Sequence, residues 1–175
     1  LFIQVVIVPG NHDCDFDRED SVIRESLLRD SNLDMLNSSI IKTCSKAEEN
    51  YFNFVKDWDQ EIAPLVSASD ESIFAINGLI YKGVSLKFHC LNTAWCSNKN
   101  EKPKEMKIAI PKLEDKTEED IVITLMHHDE SWLNWESAEE WKKYYKHYSD
   151  IVLVGHDHVS EIILKDNYGA ATNYF

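Results

Sequence analysis

Three short runs in this 175-residue sequence gather side chains able to bind a metal ion or move a proton: Gly10-Asn11-His12-Asp13, His127-His128-Asp129 and Gly155-His156-Asp157-His158. Imidazole nitrogens and an amide oxygen make a borderline donor set, suited to Mn, Fe, Zn, Co or Ni rather than to Ca. No thiolate belongs to the set, which argues against a closed structural zinc site. Taken singly, each run has a plain explanation. Gly-Asn-His-Asp reads as a tight turn, His-His as a helix cap beside a satisfied histidine, and Gly-His-Asp-His as a pair on an extended segment, where alternate residues point the same way. Taken together, each at the end of an apolar stretch, they point to one metal site.

The apolar stretches are what must position them. Phe2 to Val8, Ile121 to Met126 and Ile151 to Val154 read as buried strands, each running directly into one of the three clusters. In open α/β sheets, sites form beyond the carboxyl ends of strands, so clusters distant in sequence meet in space. Between the first and second clusters, Asp17 to Leu65 reads as helical and polar, with one stripe through Val22, Ile23, Leu27 and Leu28 and another through Tyr51, Phe52, Val55 and Trp58. Asp30 to Ser39 reads as a surface loop. Three short strands are expected at Ile73–Ile76, Leu79–Val84 and Leu86–Leu91, with Asn77-Gly78 as the hairpin turn. Ser97 to Lys107 reads as an exposed loop, and Glu114 to Asp120 as a solvated loop and entry to the next element. Glu136 to Tyr148 reads as a helix opened by a Ser137/Glu140 capping box, and Ile162 to Leu164 as a further strand before a turn near Asn167 and Gly169. His89 is expected in the core or on a sheet face, His147 on the surface.

Composition sets the outer bounds. At 175 residues the chain reads as a single domain spanning 1–175, long enough to bury a core without a disulfide or zinc staple. No apolar run approaches the ~18 residues of a membrane helix, and the N-terminus lacks the basic region and cleavage site of a signal peptide. Eighteen basic residues against 31 acidic ones leave a net charge of −13. That argues against a broad basic footprint for nucleic acid, although bound divalent cations can hold a nucleic-acid substrate by themselves. Cys14, Cys44, Cys90 and Cys96 show no framework spacing and read as reduced thiols of a cytoplasmic protein.

The three clusters, in this order, resemble the later motifs of the calcineurin-like metallophosphoesterases: GNH[DE] at Gly10–Asp13, a histidine after a strand at His127, and GHxH at Gly155–His158. Asn92-Thr93-Ala94-Trp95 and the Trp132/Trp135 region are similar to members of the bacterial cyclic-nucleotide phosphodiesterase type. The resemblance spans Pro9 to Glu161. The family's first two motifs, DxH and GDxxD, do not occur in the 175 residues. The expectation is therefore an N-terminally truncated domain, of low activity by itself.

This resemblance implies a four-layer α-β-β-α sandwich and a centre of two divalent ions, with Mn the most effective in assays. Asn11, His127 and His156 are implied on one ion and His158 on the other, with His127 preferred over the adjacent His128. His12 is implied as the acid that protonates the leaving group, and Asp13 as the partner that holds its imidazole. The implied reaction is hydrolysis of a phosphodiester, whether a cyclic nucleotide, another nucleotide or a nucleic acid. A nuclease of the same fold, and a non-catalytic module retaining it, are the alternatives.

Overall fold

A computed structural model describes residues 5–30, 38–58, 74–110, 120–157, 163–167 and 170–174. Three helices come first: α1 (Ser21–Asp30), α2 (Ser38–Cys44) and α3 (Glu49–Trp58), the last two joined by a 3-10 turn at Ser45–Glu48. The strands β1 (Phe74–Tyr81), β2 (Val84–Leu91) and β3 (Asp120–Met126) follow, then the long helix α4 (Trp135–Tyr148), β4 (Ile151–Val154), β5 (Ile163–Asn167) and β6 (Ala170–Tyr174). They form one six-stranded sheet in the order β1-β2-β3-β4-β6-β5. The fold is α/β, as expected. The second sheet of a four-layer sandwich is not among the described residues.

The centre of the sheet is parallel, from β2 through β3 to β4, and its register matters most for function. Leu91 lies opposite Met126, and Met126 opposite Val154. Three parallel strands therefore end at one level, and the residues that follow them emerge side by side. β3 and β4 match their apolar runs because a strand flanked on both sides reads as continuous hydrophobic sequence.

Three local expectations are corrected. The hairpin turn falls at Lys82-Gly83, not Asn77-Gly78: both turn residues have positive φ (49° and 83°), the signature of a two-residue turn that suits strand twist. This register carries Asn77 opposite Phe88 and Gly78 opposite Lys87 in mid-ladder, and lets β1 and β2 pair along their full length. In α1, Val22 and Ile23 point outward at 75% and 60% exposure, while Arg24 is buried. Its guanidinium donates to the carbonyls of Cys44 (2.9 Å), Ser97 (2.6 Å) and Trp95 (2.7 Å), a set of partners that an apolar-periodicity reading has no means of seeing. Helix α4 is capped by Asn134, whose side chain accepts from the Ser137 amide at 2.8 Å, so Ser137 sits inside the first turn and does not cap it.

The apolar opening also differs. Residues 5–8 are half-buried and lie in no strand, and among the described residues no strand pairs with them. Their observed tie is to α3, where the Tyr51 hydroxyl donates to the Ile7 carbonyl at 3.3 Å. The core lies between α4 and the sheet, around Trp95, Trp141, Leu91, Met106, Met126 and Leu133, all nearly inaccessible. His89 is buried with Nδ1 2.7 Å from the Tyr144 hydroxyl, and His147 is exposed. The stretch 111–119, with most of the acidic segment, lies outside the described residues, as does most of the Asp30–Ser39 loop.

Candidate metal centre

The level ends of β3 and β4 deliver His127 and His128 from one strand and His156 from the next. Asn11 reaches them from the Gly10–Asp13 turn. That turn is a single 3-10 turn in place of a strand end: the Asp13 amide donates to the Gly10 carbonyl at 3.0 Å, and the Asp13 carboxylate accepts from the Gly10 amide at 2.8 Å. Gly10 is needed for close approach, because a Cβ there would stand 2.7–2.9 Å from three atoms of the His127 ring.

His127 Nε2 lies 3.0 Å from Asn11 Oδ1 and 3.2 Å from His156 Nδ1. Two donors sharing one cation at about 2.1 Å and near 90–110° stand roughly 3.0–3.4 Å apart, so these pairs have the spacing of a shared ion. The three imidazoles have ligand atoms all within 4.8 Å of one another. Burial pushes the His127 pKa down to about 4, with His128 and His156 adding to the effect, which leaves a neutral imidazole and a free lone pair at physiological pH.

His156 is held by strain. Its φ is +69°, and the Asp157 amide donates back to the Gly155 carbonyl at 2.9 Å, closing a tight positive-φ turn about the histidine. The segment is therefore not the extended run expected for GHxH. A second bond, from the Gly155 amide to the His127 carbonyl at 3.1 Å, fastens the turn to the neighbouring strand end. The Trp132 ring meets His156 edge-on at 4.2 Å between centroids, and its indole N–H donates to Asp157 at 2.9 Å. Asp157 is thereby engaged by Trp132, whose ring stands against His156.

Sequence reasoning missed Glu101. Its side chain is only 6% exposed and comes from the loop expected to be exposed. Oε2 accepts from Asn11 Nδ2 at 3.1 Å and lies 3.5 Å from His128 Nε2 and 4.0 Å from His156 Nε2. The loop is tied at both ends, by Arg24 on Ser97 and by reciprocal backbone bonds linking Met106 to Trp132 and Asn134. Burial works against charge on Glu101, but the His128 ring and Ser97 hydroxyl beside it outweigh burial, and its pKa lies below the ordinary value. Thr93 enters the sequence reading only within Asn92–Trp95. Its hydroxyl accepts from the His128 amide at 3.1 Å and lies 2.8 Å from His128 Nδ1, which turns Nε2 toward Glu101.

The remaining expected residues stand differently. His12 and Asp13 are exposed and line a cleft of about 490 Å³ with Ile7, Tyr51 and Phe54. His158 lies outside the described residues.

The ends of β3 and β4 and the Gly10–Asp13 turn bring imidazole and amide donors together. The donor chemistry fits a divalent ion, and the buried His128 Nε2, within the cluster, has no hydrogen-bond partner among the described residues. The sequence model of the calcineurin-like phosphoesterases matches residues 1–160, and the chain belongs to that family, whose members hydrolyse phosphoesters with divalent metal ions. Comparisons with curated proteins and with solved structures found no match. Among the described residues no helix is long and apolar enough to cross a membrane.

Proposed function

We propose that the protein is a metal-dependent phosphodiesterase acting on small diesters such as nucleotides, with manganese an effective ion. The observation that carries this reading is the paired spacing of 3.0 and 3.2 Å around His127 Nε2. Asn11, His127 and His156 would hold one ion, with His127 preferred over His128, and His158 another. When bound, such ions polarise the phosphoryl group and lower the pKa of the attacking water. The chain supplies the rest. Gly10 and Gly155 leave room for the His127 ring, Trp132 walls the His156 side, and His12 donates its imidazole N–H proton to the departing oxygen. Asp13 commits one carboxylate oxygen to the Gly10 amide and has the other to orient His12. The net charge of −13 favours a small diester over a nucleic acid. The four cysteines, none of them in a disulfide among the described residues, suit a reducing compartment such as the cytoplasm.

The test uses the full gene product with Mn²⁺, on an alkyl or ribosyl diester and on a nitrophenyl diester. His127→Ala is expected to abolish both activities. His12→Ala is expected to slow the alkyl or ribosyl ester by about 10²–10⁴-fold and to spare the nitrophenyl ester, whose leaving group needs no proton. Full activity of His127→Ala, or equal loss on both esters in His12→Ala, overturns the corresponding assignment.

A further inference from the structure

The family resemblance implies ligands that, in this chain, are all neutral: an amide and imidazoles. In a largely buried site a divalent ion is better held with an anionic donor beside the neutral ones, because its charge is costly at low dielectric. Glu101 is the carboxylate that the structure places within 4.0 Å of two of the imidazoles, with a side chain only 6% exposed. The facing His128 Nε2, 3.5 Å from Glu101 Oε2, is buried without a hydrogen-bond partner among the described residues. A buried ring nitrogen left unpaired loses its hydration with nothing in return, so folded proteins rarely keep one unless a ligand or ion satisfies it.

His128 is prepared for the same purpose. A metal-bound histidine characteristically engages its second ring nitrogen with a protein group, which fixes the ring and its tautomer. Thr93 does this at His128 Nδ1, 2.8 Å away. Nε2 is left facing the carboxylate at 3.5 Å, longer than a good hydrogen bond. Glu101 also fixes the Asn11 amide: by accepting from Nδ2 it turns Oδ1 toward His127.

We infer that Glu101 and His128 Nε2 are themselves ligands of the metal centre, Glu101 supplying its anionic donor. The inference rests on the proposed metal-binding reading and extends its ligand set into the 97–107 loop. Carboxylate with imidazole selects a borderline divalent ion such as Zn²⁺, Co²⁺ or Mn²⁺.

The test titrates the 175-residue protein with Co²⁺, followed by calorimetry and by the visible absorption of the bound ion. Glu101→Gln is expected to weaken binding by about 10–100-fold and to shift the absorption bands, with Glu105→Gln on the same loop, exposed, without effect. Glu101→Asp, which keeps the charge but shortens the reach, is expected to fall between. Wild-type protein loaded with NMR-active cadmium gives a direct reading that needs no variant: coupling from the metal to the His128 ring is expected. If Asn11→Ala and His127→Ala weaken Co²⁺ binding but Glu101→Gln changes neither affinity nor spectrum, and cadmium does not couple to His128, the inference is overturned and the proposed centre stands. If none of the variants alters binding, both fall.

Discussion

At Gly10 a single hydrogen separates a working geometry from a clash. A Cβ would meet three atoms of the His127 ring at 2.7–2.9 Å, whereas at Gly155 the nearest contact is the His127 Nδ1 at 3.2 Å. Gly10→Ala is therefore expected to displace the ring and lower Co²⁺ affinity by about tenfold or more, and Gly155→Ala to do so less; equal titration curves for the two variants would contradict the close approach of Gly10 to His127. Glu48 offers a second residue-scale test. Burial raises its pKa from 4.5 to about 8, against the opposing hydrogen bond from Asn92 and the nearby Arg24. Folded protein thus keeps a proton that the unfolded chain releases near pH 4.5, so stability falls as pH rises between those values. Glu48→Gln removes the cause and should raise the stability at pH 7 by roughly 3 kcal/mol, with little gain near pH 4.5. Thermal denaturation across that range measures it, and a gain that shrinks with rising pH would reverse the sign. At this scale the histidines and Asn11 were legible because their chemistry travels with their identity. Glu101 and Thr93 were not, because a carboxylate or hydroxyl in a polar, aperiodic segment becomes a site residue only through where the loop is tied down.

Among the elements, the β1–β2 hairpin separates local signal from tertiary outcome. Asn77-Gly78 is the stronger dipeptide signal, yet Lys82-Gly83 makes the turn because that register pairs eight residues of each strand. Gly83 has φ of +83°, so Gly83→Ala should cost about 1 kcal/mol. Gly78 has open space around a Cβ and lies in mid-strand, so Gly78→Ala should be neutral or stabilising by about 0.5 kcal/mol. Urea unfolding of both variants decides it, and the opposite ranking would return the turn to Asn77-Gly78. β3 and β4 were readable almost to the residue, since buried parallel strands announce themselves by unbroken apolar runs. Helix α1 was readable in position and, through Leu27 and Leu28, in half of its facing; a buried arginine occupies the inward place that periodicity assigns to Val22 and Ile23.

For the whole molecule, the α/β class followed from strand, helix and strand in succession, and the convergence of the clusters from their shared position after strands. The order of the sheet, the level ends of β2, β3 and β4, and the contribution of the 97–107 loop depend on long-range pairing that no window of sequence contains. If the centre binds metal as proposed, the ion links Asn11 near the N-terminus to strand ends more than a hundred residues away, and a ligand that binds only the folded state stabilises it by mass action. Saturating Co²⁺ should accordingly raise the thermal midpoint of the wild-type protein, and His127→Ala should abolish the rise; an equal rise in the variant would place the bound ion elsewhere.

Arg24 has a consequence for how the molecule opens. Its guanidinium clips three carbonyls from the end of α2 and from the Trp95–Ser97 segment, and Ser97 begins the loop that carries Glu101. Detaching α1 withdraws the guanidinium and leaves three carbonyls without their donor, hydrogen bonds each worth about 1.5–3 kcal/mol when the donor is charged. Together with Leu27 and Leu28 packed against the core, this clip makes the helix part of one cooperative unit with that segment. Under native-state hydrogen exchange, the amides of α1 and those of residues 95–97 should open together. Arg24→Met should uncouple them, speeding exchange in α1 while the central strands keep their protection.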